Sequence, residues 1–251
     1  MLGLRLIPVL LLTAEGLVKT TRFRSPRYVG DPINAVRIFN EKEVDELVVL
    51  DIEATPQGRG PRFPAIEALA RECFMPLCYG GGVRSLEDVR RLVGLGVEKV
   101  AINSAAAGDP VFLRAAAERF GSSTLVVSID VKRRLLGAPQ VFSHCGRSAL
   151  EPGPVDYARQ LERLGAGEIL LNSIDRDGTL TGYDLELIES VASAVQVPVI
   201  ACGGAAGVSD VHRALDAGAS AAAAGSLFVF HGKHRAVLIN YPRPEELERR
   251  S

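Results

Sequence analysis

The sequence has no excess of charge of either sign. Its 251 residues include 29 lysines and arginines against 30 aspartates and glutamates, which gives a formal net charge of −1 at pH 7. Proteins that bind nucleic acid or an anionic membrane surface through their overall charge carry a clear basic excess. We therefore expect neither nucleic acid nor a membrane among the partners of this chain.

Long apolar runs and metal-binding motifs are also missing. The apolar start at Leu2–Leu12 is too short to span a bilayer and is interrupted by Arg5, so we interpret it as a buried strand. The four cysteines form no CxxC pair, and neither they nor the four histidines have the spacing of metal ligands. The pattern predicts a cytoplasmic protein with reduced cysteines, and no metal or cofactor is expected.

The chain has no Pro/Gly/Ser-rich linker and no low-complexity tract. Its length suits one barrel-sized domain. Short apolar runs alternate with stretches of helical periodicity, such as Pro154–Leu164, and this alternation predicts parallel strands covered by helices. The eight predicted strands are Leu4–Leu11, Glu46–Ile52, Pro76–Tyr79, Lys99–Asn103, Thr124–Val131, Glu168–Asn172, Val197–Cys202 and Ser220–Gly225.

Two parts of the chain repeat each other. Met75–Ser104 has the pattern strand, glycine turn, helix and strand, and Val197–Ser226 matches it at a shift of about 122 residues. Two copies of a four-strand unit favour a closed (β/α)8 barrel over an open sheet. We therefore predict a single α/β domain over residues 1–251, a (β/α)8 TIM barrel built from half-barrels at about 1–121 and 122–251. The matched residues include Gly81 with Gly203, Gly82 with Gly204, and Ser104 with Ser226.

The same repeat predicts two anion sites. Ligands of such barrels bind where the strands end, and each half places a Gly-Gly turn there, with Asn-Ser or Gly-Ser at the next strand end. Glycine lets backbone N–H groups approach an anion, and a following helix adds its positive end. Tight turns without a ligand are the alternative. The predicted phosphate-binding residues are Gly81, Gly82, Asn103 and Ser104 in the first half, and Gly203, Gly204, Gly225 and Ser226 in the second.

Other polar residues stand at the same predicted strand ends. Asp130 ends the fifth strand, and Asp177-Gly178 follow the sixth. Asp51 ends the second strand, where it either orients polar groups of the pocket or caps a turn. The segment Thr13–Gly30 is predicted to be a long loop; it carries Lys19 and three arginines, and we expect it to be a mobile lid over anionic ligands.

At the opposite end, four charged residues begin strands. The first, second, fourth and sixth predicted strands begin with Arg5, Glu46, Lys99 and Glu168, so two positive and two negative charges are predicted to meet in a ring. A stabilising salt-bridge layer is one interpretation of this ring.

Several strings then point to a family: YGGGVRS, KVAINSAA, GAGEILLNSIDRDGT and ACGGA. They closely resemble the HisF family, the cyclase subunit of imidazole glycerol phosphate synthase, over nearly the whole chain. The resemblance implies that Lys19 lies on the loop that closes over substrate, and that the charged ring is a gate for ammonia from a docked HisH-like glutaminase. It assigns one phosphate to Gly82, Asn103 and Ser104, and the other to Asp177, Gly178, Gly204, Gly225 and Ser226.

The chain departs from this family at the mouth of the barrel. The family cyclase uses two aspartates on opposite sides; Asp130 matches one, and Leu11 stands in place of the other. Loss of a positioned acid–base group typically costs about two to four decades in rate. Val9 also replaces a cysteine, and Asn172 and Cys202 stand where threonine and serine are usual.

Other strings resemble a paralogous branch, the HisF-like proteins of surface-polysaccharide gene clusters: GDPINAVRIFN, ECFMPLCYGGG and GKHRAVLINYP. That resemblance implies a barrel subunit that receives ammonia from a glutaminase and works with a sugar amidotransferase in acetamidino-sugar synthesis. An authentic cyclase of histidine biosynthesis is the first alternative, and a non-catalytic conduit or activating subunit is the second.

Overall fold

A computed structural model describes residues 4–133, 137–232 and 234–247. The strands of the described chain, in order, are β1 (Leu6–Thr13), β2 (Gly16–Thr21), β3 (Arg24–Gly30), β4 (Leu47–Asp51), β5 (Leu77–Gly80), β6 (Lys99–Ile102), β7 (Leu125–Arg133), β8 (Pro139–Ser143), β9 (Ser148–Ala149), β10 (Glu168–Ser173), β11 (Val199–Cys202), β12 (Ala221–Ala224), β13 (Phe230–His231) and β14 (Ala236–Val237).

Eight of these strands form a closed parallel barrel. Neighbouring strands pair in the order β10, β11, β12, β1, β4, β5, β6 and β7. The barrel closes because β7 also pairs with β10, with Asp130 opposite Asn172. The structure therefore confirms the predicted (β/α)8 barrel, and the bounds of the barrel strands lie within about two residues of the predicted ones.

The helices follow the strands and pack around the barrel: α1 (Pro32–Glu41), α2 (Phe63–Glu72), α3 (Leu86–Gly94), α4 (Ser104–Gly108), α5 (Pro110–Phe120), α6 (Pro154–Arg163), α7 (Leu185–Ala192), α8 (Val208–Asp216), α9 (Ser226–Val229) and α10 (Pro244–Leu247). Of the described helices, none is long and apolar enough to cross a membrane.

Local sequence sets where these helices begin. The Asp31 side chain accepts a hydrogen bond from the Asn34 N–H, and Pro32 follows at a position where its missing N–H costs nothing. The Ser85 Oγ accepts in the same way from Asp88 N at 3.1 Å before α3. The predicted helix Pro154–Leu164 corresponds to α6, which ends one residue earlier.

The barrel strands are apolar on both faces because both are covered. Alternate residues point outward against the helices or inward to the barrel axis, so β1 is buried at every position. Outward residues such as Leu6 and Leu10 join the larger core with the helices. Inward residues such as Ile7 and Val9 form a second, smaller cluster on the axis.

The predicted lid segment Thr13–Gly30 is ordered secondary structure and not a loop. Strand β2 pairs antiparallel with β1, placing Leu11 opposite Val18, and β3 pairs with β2. The hairpin was not evident in the sequence because Leu17, Val18, Lys19 and Thr20 are all buried, so β2 shows no polar–apolar alternation. A second hairpin, β8–β9, follows β7 at the corresponding place in the second half.

The charged run Pro242–Ser251 predicts a frayed C-terminal helix. Its described part contains the short helix α10, and residues 248–251 lie outside the described residues. Tyr241, directly before this segment, is fixed to the first strand, because its OH donates a hydrogen bond of 2.8 Å to the Leu6 carbonyl.

Candidate functional site

A cavity of about 340 Å³ opens at the carboxyl ends of the barrel strands. It collects the candidate site residues of both half-barrels, which lie as far apart in the sequence as Leu11 and Ser226. Leu11 and all of the predicted binding residues line it: Lys19, Asp51, Gly81, Gly82, Asn103, Ser104, Asp130, Asn172, Asp177, Gly178, Gly203, Gly204, Gly225 and Ser226.

Asp130 is the buried carboxyl group at the centre of the cavity wall. The Asn103 Nδ2 donates to its Oδ2 at 3.1 Å, and the Ser128 Oγ and Asn172 Nδ2 both lie 3.5 Å from its Oδ1. Burial raises the pKa of Asp130 to about 7, Asn172 opposes this by donating a hydrogen bond, and the charge of Asp177 adds to it. At neutral pH this group can therefore both give and accept a proton.

Leu11 lies on the opposite wall of the barrel. In the closed strand order, β1 is four strands away from β7 in either direction, so the two are diametrically opposed. Leu11 is 8% exposed and packs in the inner cluster with Val9 and the half-buried Leu50. The wall facing Asp130 therefore offers only apolar side chains at these positions and no group that transfers protons.

The first predicted anion site combines the Gly81-Gly82 turn with Asn103 and Ser104. A Cβ on Gly81 would lie 2.4 Å from the Asp51 carbonyl oxygen, and its φ of 115° is unfavourable for other residues, so packing alone already requires glycine here. The Ser104 Oγ accepts from the His144 N–H at 3.0 Å. This hydrogen bond joins the β8–β9 hairpin to the first site.

The second site has polar atoms without protein partners. The Ser226 Oγ and the Asn172 Oδ1 are buried, and neither has a hydrogen-bond partner among the described residues. Buried polar atoms normally do have partners, so these two are suited to a ligand or water. The Lys19 ammonium lies against Gly225, where a Cβ would come within 2.6 Å of its Nζ. The short helices α9 and α4 begin at Ser226 and Ser104.

Lys19 reaches the second site because the β2–β3 hairpin bends over the mouth. Its Nζ lies 3.4 Å from the Asp177 Oδ1, and the Thr20 Oγ1 donates to the Asp177 Oδ2 at 3.2 Å. The Arg22 N–H donates to the Asp177 carbonyl at 2.9 Å. A Cβ on Gly178 would lie 2.3 Å from the Thr20 carbonyl oxygen, so glycine allows this close approach of hairpin and loop.

Asp51 lines the cavity, but its carboxylate is directed into the loop after β4. Its Oδ1 accepts from the backbone N–H groups of Glu53 and Ala54, each at 3.1 Å. Arg59 binds both carboxylate oxygens and Arg62 binds Oδ2. Asp51 is expected from the sequence either to orient polar groups of the pocket or to cap a turn, and this geometry corresponds to the turn cap.

The four charged residues at the amino end of the barrel form one closed ring. Arg5 binds the carboxylates of Glu46 and Glu168, with shortest distances of 2.5 and 2.8 Å. The Lys99 Nζ binds the same two carboxylates at 3.2 and 3.0 Å. Although burial opposes ionisation, Arg5 and Lys99 together lower the pKa of Glu168 below its usual value. The ring is therefore charged and closed.

Between the ring and the cavity, the barrel axis is apolar and partly filled by small side chains. Cys78, Ala101, Ala221 and Ala223 point inward there, among larger residues such as Val48, Val126, Leu170 and Ile200. Parallel barrels are usually filled by bulky branched residues, so three alanines make this interior looser than the common pattern.

Comparisons with known proteins agree with this architecture. The profile of the histidine biosynthesis protein family matches residues 5–235. A Pseudomonas aeruginosa protein named "Putative imidazole glycerol phosphate synthase subunit hisF2" is 54% identical over 97% of this chain and 98% of its own length. The chain belongs to the HisF family. Similarly named subunits from Vibrio vulnificus (48% identical, over 98% of this chain and 95% of the relative) and Leptospira borgpetersenii (47%, over 99% and 98%) agree.

Some cavity residues of this HisF-family chain were not predicted from the sequence. The β8–β9 hairpin brings Cys145 and Arg147 to the cavity, and Phe23 and Leu180 also line it. The β-prone pair Val141-Phe142 followed by the glycine at Gly146 is a hairpin signal that could have revealed this element. In the described part of the chain, His, Cys, Asp and Glu side chains form no group of three or more suited to a metal ion.

The raised pKa of Asp130 predicts how stability depends on pH. Between about pH 4 and pH 7 the native carboxyl keeps its proton while the unfolded chain has released it, so the free energy of unfolding falls as pH rises. Asp130→Asn removes this titration. Relative to wild type, the variant should gain on the order of 3 kcal/mol between pH 4 and pH 8.

Urea unfolding of both proteins at these two pH values measures the difference. Asp156→Asn is the control, because Asp156 is exposed on α6. Stability curves of wild type and Asp130→Asn that stay parallel across this range would contradict the assigned shift.

Proposed function

We propose that this chain is the ammonia-receiving barrel subunit of a glutamine-dependent amidotransferase. Its partner would be a HisH-like glutaminase, docked at the amino end of the barrel. Ammonia released there would pass the ring of Arg5, Glu46, Lys99 and Glu168, and travel along the barrel axis to the cavity at the other end. The four reduced cysteines favour the cytoplasm as the compartment.

The closed ring above an apolar interior is the observation that carries this proposal. Lys99 and Arg5 neutralise both carboxylates, so the ring excludes charged solutes while closed. Beyond it, the apolar cluster on the axis disfavours ammonium, which would lose its hydration, and admits neutral ammonia. Movement of the single side chain of Lys99, which is partly exposed, would open the port without breaking the Arg5 ion pairs.

The opposite end supports a subunit without full cyclase chemistry. Asp130 is suitably protonated for acid–base work, but Leu11 leaves the facing wall without a second group. Authentic cyclase activity, in which both walls transfer protons, is therefore the less favoured alternative.

The cavity would still bind a phosphorylated ligand. The orphaned Ser226 Oγ and the Lys19 ammonium at the second site, and the Gly81-Gly82 turn with Ser104 at the first, support one anion at each side. Such a ligand could regulate ammonia transfer or receive the ammonia itself.

The use of the ammonia is the finer part of the proposal. We assign the chain to acetamidino-sugar synthesis for surface polysaccharides, with a separate sugar amidotransferase as a further partner. The strings shared with that branch and the loss of an aspartate at Leu11 support this assignment. A purely non-catalytic conduit that activates its glutaminase is the remaining alternative, and it shares the same ring and port.

We expect anions at both sides of the cavity. Binding of a bisphosphorylated sugar, measured by calorimetry, should weaken about tenfold in Ser226→Ala, because a hydrogen bond to a charged group is lost. Ser193→Ala, far from the cavity on the end of α7, is the control. Equal affinity in all three proteins would remove the second site from the proposal.

We expect little or no ammonia-dependent cyclase activity. With the phosphoribulosyl precursor of the histidine pathway, the rate should be at least about 100-fold below that of a complete cyclase, because one acid–base group is absent. A rate within tenfold of such an enzyme would instead establish the authentic cyclase and reject the sugar assignment.

We expect the ring to control ammonia transfer. Lys99→Ala removes the mobile cation of the ring and should lower the amount of amidine formed per glutamine hydrolysed, since ammonia escapes or stalls at the port. Lys42→Ala, an exposed lysine near the same end, is the control, and thermal stability is matched beforehand. An unchanged ratio would mean that the ring is only a structural salt-bridge layer.

A further inference from the structure

One phenylalanine is almost fully exposed at the amino end of the barrel. Phe74 is 86% exposed, the largest fraction among the exposed large apolar side chains of the described residues. Phenylalanine is usually buried, because removing its ring from water stabilises a fold. Folding of this chain alone therefore gives no reason for Phe74 to face solvent. A lone exposed apolar side chain is common, so its surroundings decide what it means.

The backbone around Phe74 is held rigidly. The Asn40 side chain bridges it, accepting from the Phe74 N–H at 3.1 Å and donating to the Glu72 carbonyl at 2.6 Å. On one side the Cys73 N–H caps the end of α2, and on the other Met75 is buried. A rigidly presented aromatic ring loses little entropy when it is buried by a partner.

Phe74 lies beside the charged ring. It precedes β5, which pairs on one side with β4 and on the other with β6. Glu46 comes directly before β4, and Lys99 begins β6. The Leu47 N–H donates to the Pro76 carbonyl at 2.9 Å, so the segment that carries Phe74 starts next to the Glu46 side of the ring.

Three exposed acidic residues lie near Phe74. Glu43 and Asp45 are exposed on the turn before β4, and Glu98 is exposed on the turn before β6. Glu98 also lies close to Cys73, the residue before Phe74, because its negative charge contributes to raising the pKa of the Cys73 thiol. The ring cations Arg5 and Lys99 are already paired with Glu46 and Glu168. The exposed Arg37 and Arg71 are likewise paired, with Glu72 and Glu67. Among the described residues around Phe74, only the exposed Lys42 then stands against the three carboxylates, so this surface keeps a net negative charge.

We propose that Phe74 anchors the glutaminase: its ring enters an apolar socket on that partner, and lysines or arginines around the socket face Glu43, Asp45 and Glu98. This inference rests on the proposed pairing with a glutaminase. Central aromatic residues surrounded by polar groups carry most of the affinity in many interfaces. A second copy of this chain fits less well, because two acidic surfaces would then face each other.

Titration against the HisH-like glutaminase of the same organism, purified as a single subunit, tests the anchor. Phe74→Ala should weaken binding by about 30-fold or more while the melting temperature stays unchanged, because the side chain is exposed. Tyr28→Ala is the matched control: Tyr28 is an exposed aromatic, 58% accessible, on the β2–β3 hairpin at the other end of the barrel. The affinity of Tyr28→Ala for the glutaminase should stay within about twofold of wild type.

The outcomes separate this inference from the proposed function. If wild type binds the glutaminase and Phe74→Ala binds equally well, the anchor is rejected and the pairing stands. If wild type does not bind, both are rejected. If Phe74→Ala loses binding but the association rate of wild type does not fall with added salt, the cationic rim of the socket is rejected. If wild type forms dimers that Phe74→Ala abolishes, with no change in glutaminase affinity, the surface is a self-association site and the anchor is rejected.

Discussion

The pairing of β7 with β10 determines the rest of the structure, because it closes the sheet into a barrel. A closed parallel barrel has all strand carboxyl ends at one mouth and all amino ends at the other. Asp130 on β7 and Asn172 on β10 are partners in this register, so the same pairing that closes the fold also supplies a hydrogen bond to the buried carboxyl. The strand pairing that closes the barrel therefore also places Asn172 beside Asp130 in the site.

The carboxyl groups at the two ends of the barrel are stabilised in different ways. At the amino end, Arg5 and Lys99 compensate two buried carboxylates, and Glu168 stays ionised. At the carboxyl end, Asp130 has neutral amide and hydroxyl neighbours but no cation within hydrogen-bonding distance among the described residues, and its proton is held up to about pH 7. Removing one partner from the compensated ring would leave a buried charge, whereas the isolated Asp130 can lose its charge by taking up a proton.

The barrel, its strands and most of the polar residues of the cavity could be predicted from the sequence, because they rest on local patterns that the chain repeats. Apolar runs set the strands, and Gly-Gly turns such as Gly81-Gly82 mark where two backbones approach. The β2–β3 hairpin was not predicted because four consecutive residues of β2, Leu17 to Thr20, are buried and show no alternation. Leu17 and Val18 pack in the two apolar clusters, whereas Lys19 and Thr20 are held by Asp177. The arginines that bind Asp51 were not predictable either, since contacts eight and eleven residues along an irregular loop have no sequence signature.

The substitution at Leu11 changes what the remaining carboxyl can do. With an acid on each wall, one group can give a proton while the other accepts one across the same ligand. With Leu11 facing it, Asp130 can only exchange a proton with a molecule that brings and removes that proton itself. In the proposed function, ammonia that attacks an electrophile in the cavity would have to lose a proton, and the ionised form of Asp130 could accept it. Under that proposal a single carboxyl group with a pKa near 7, at the end of the apolar barrel axis, would be sufficient for this one proton transfer, but not for a cyclisation that needs an acid and a base on opposite walls.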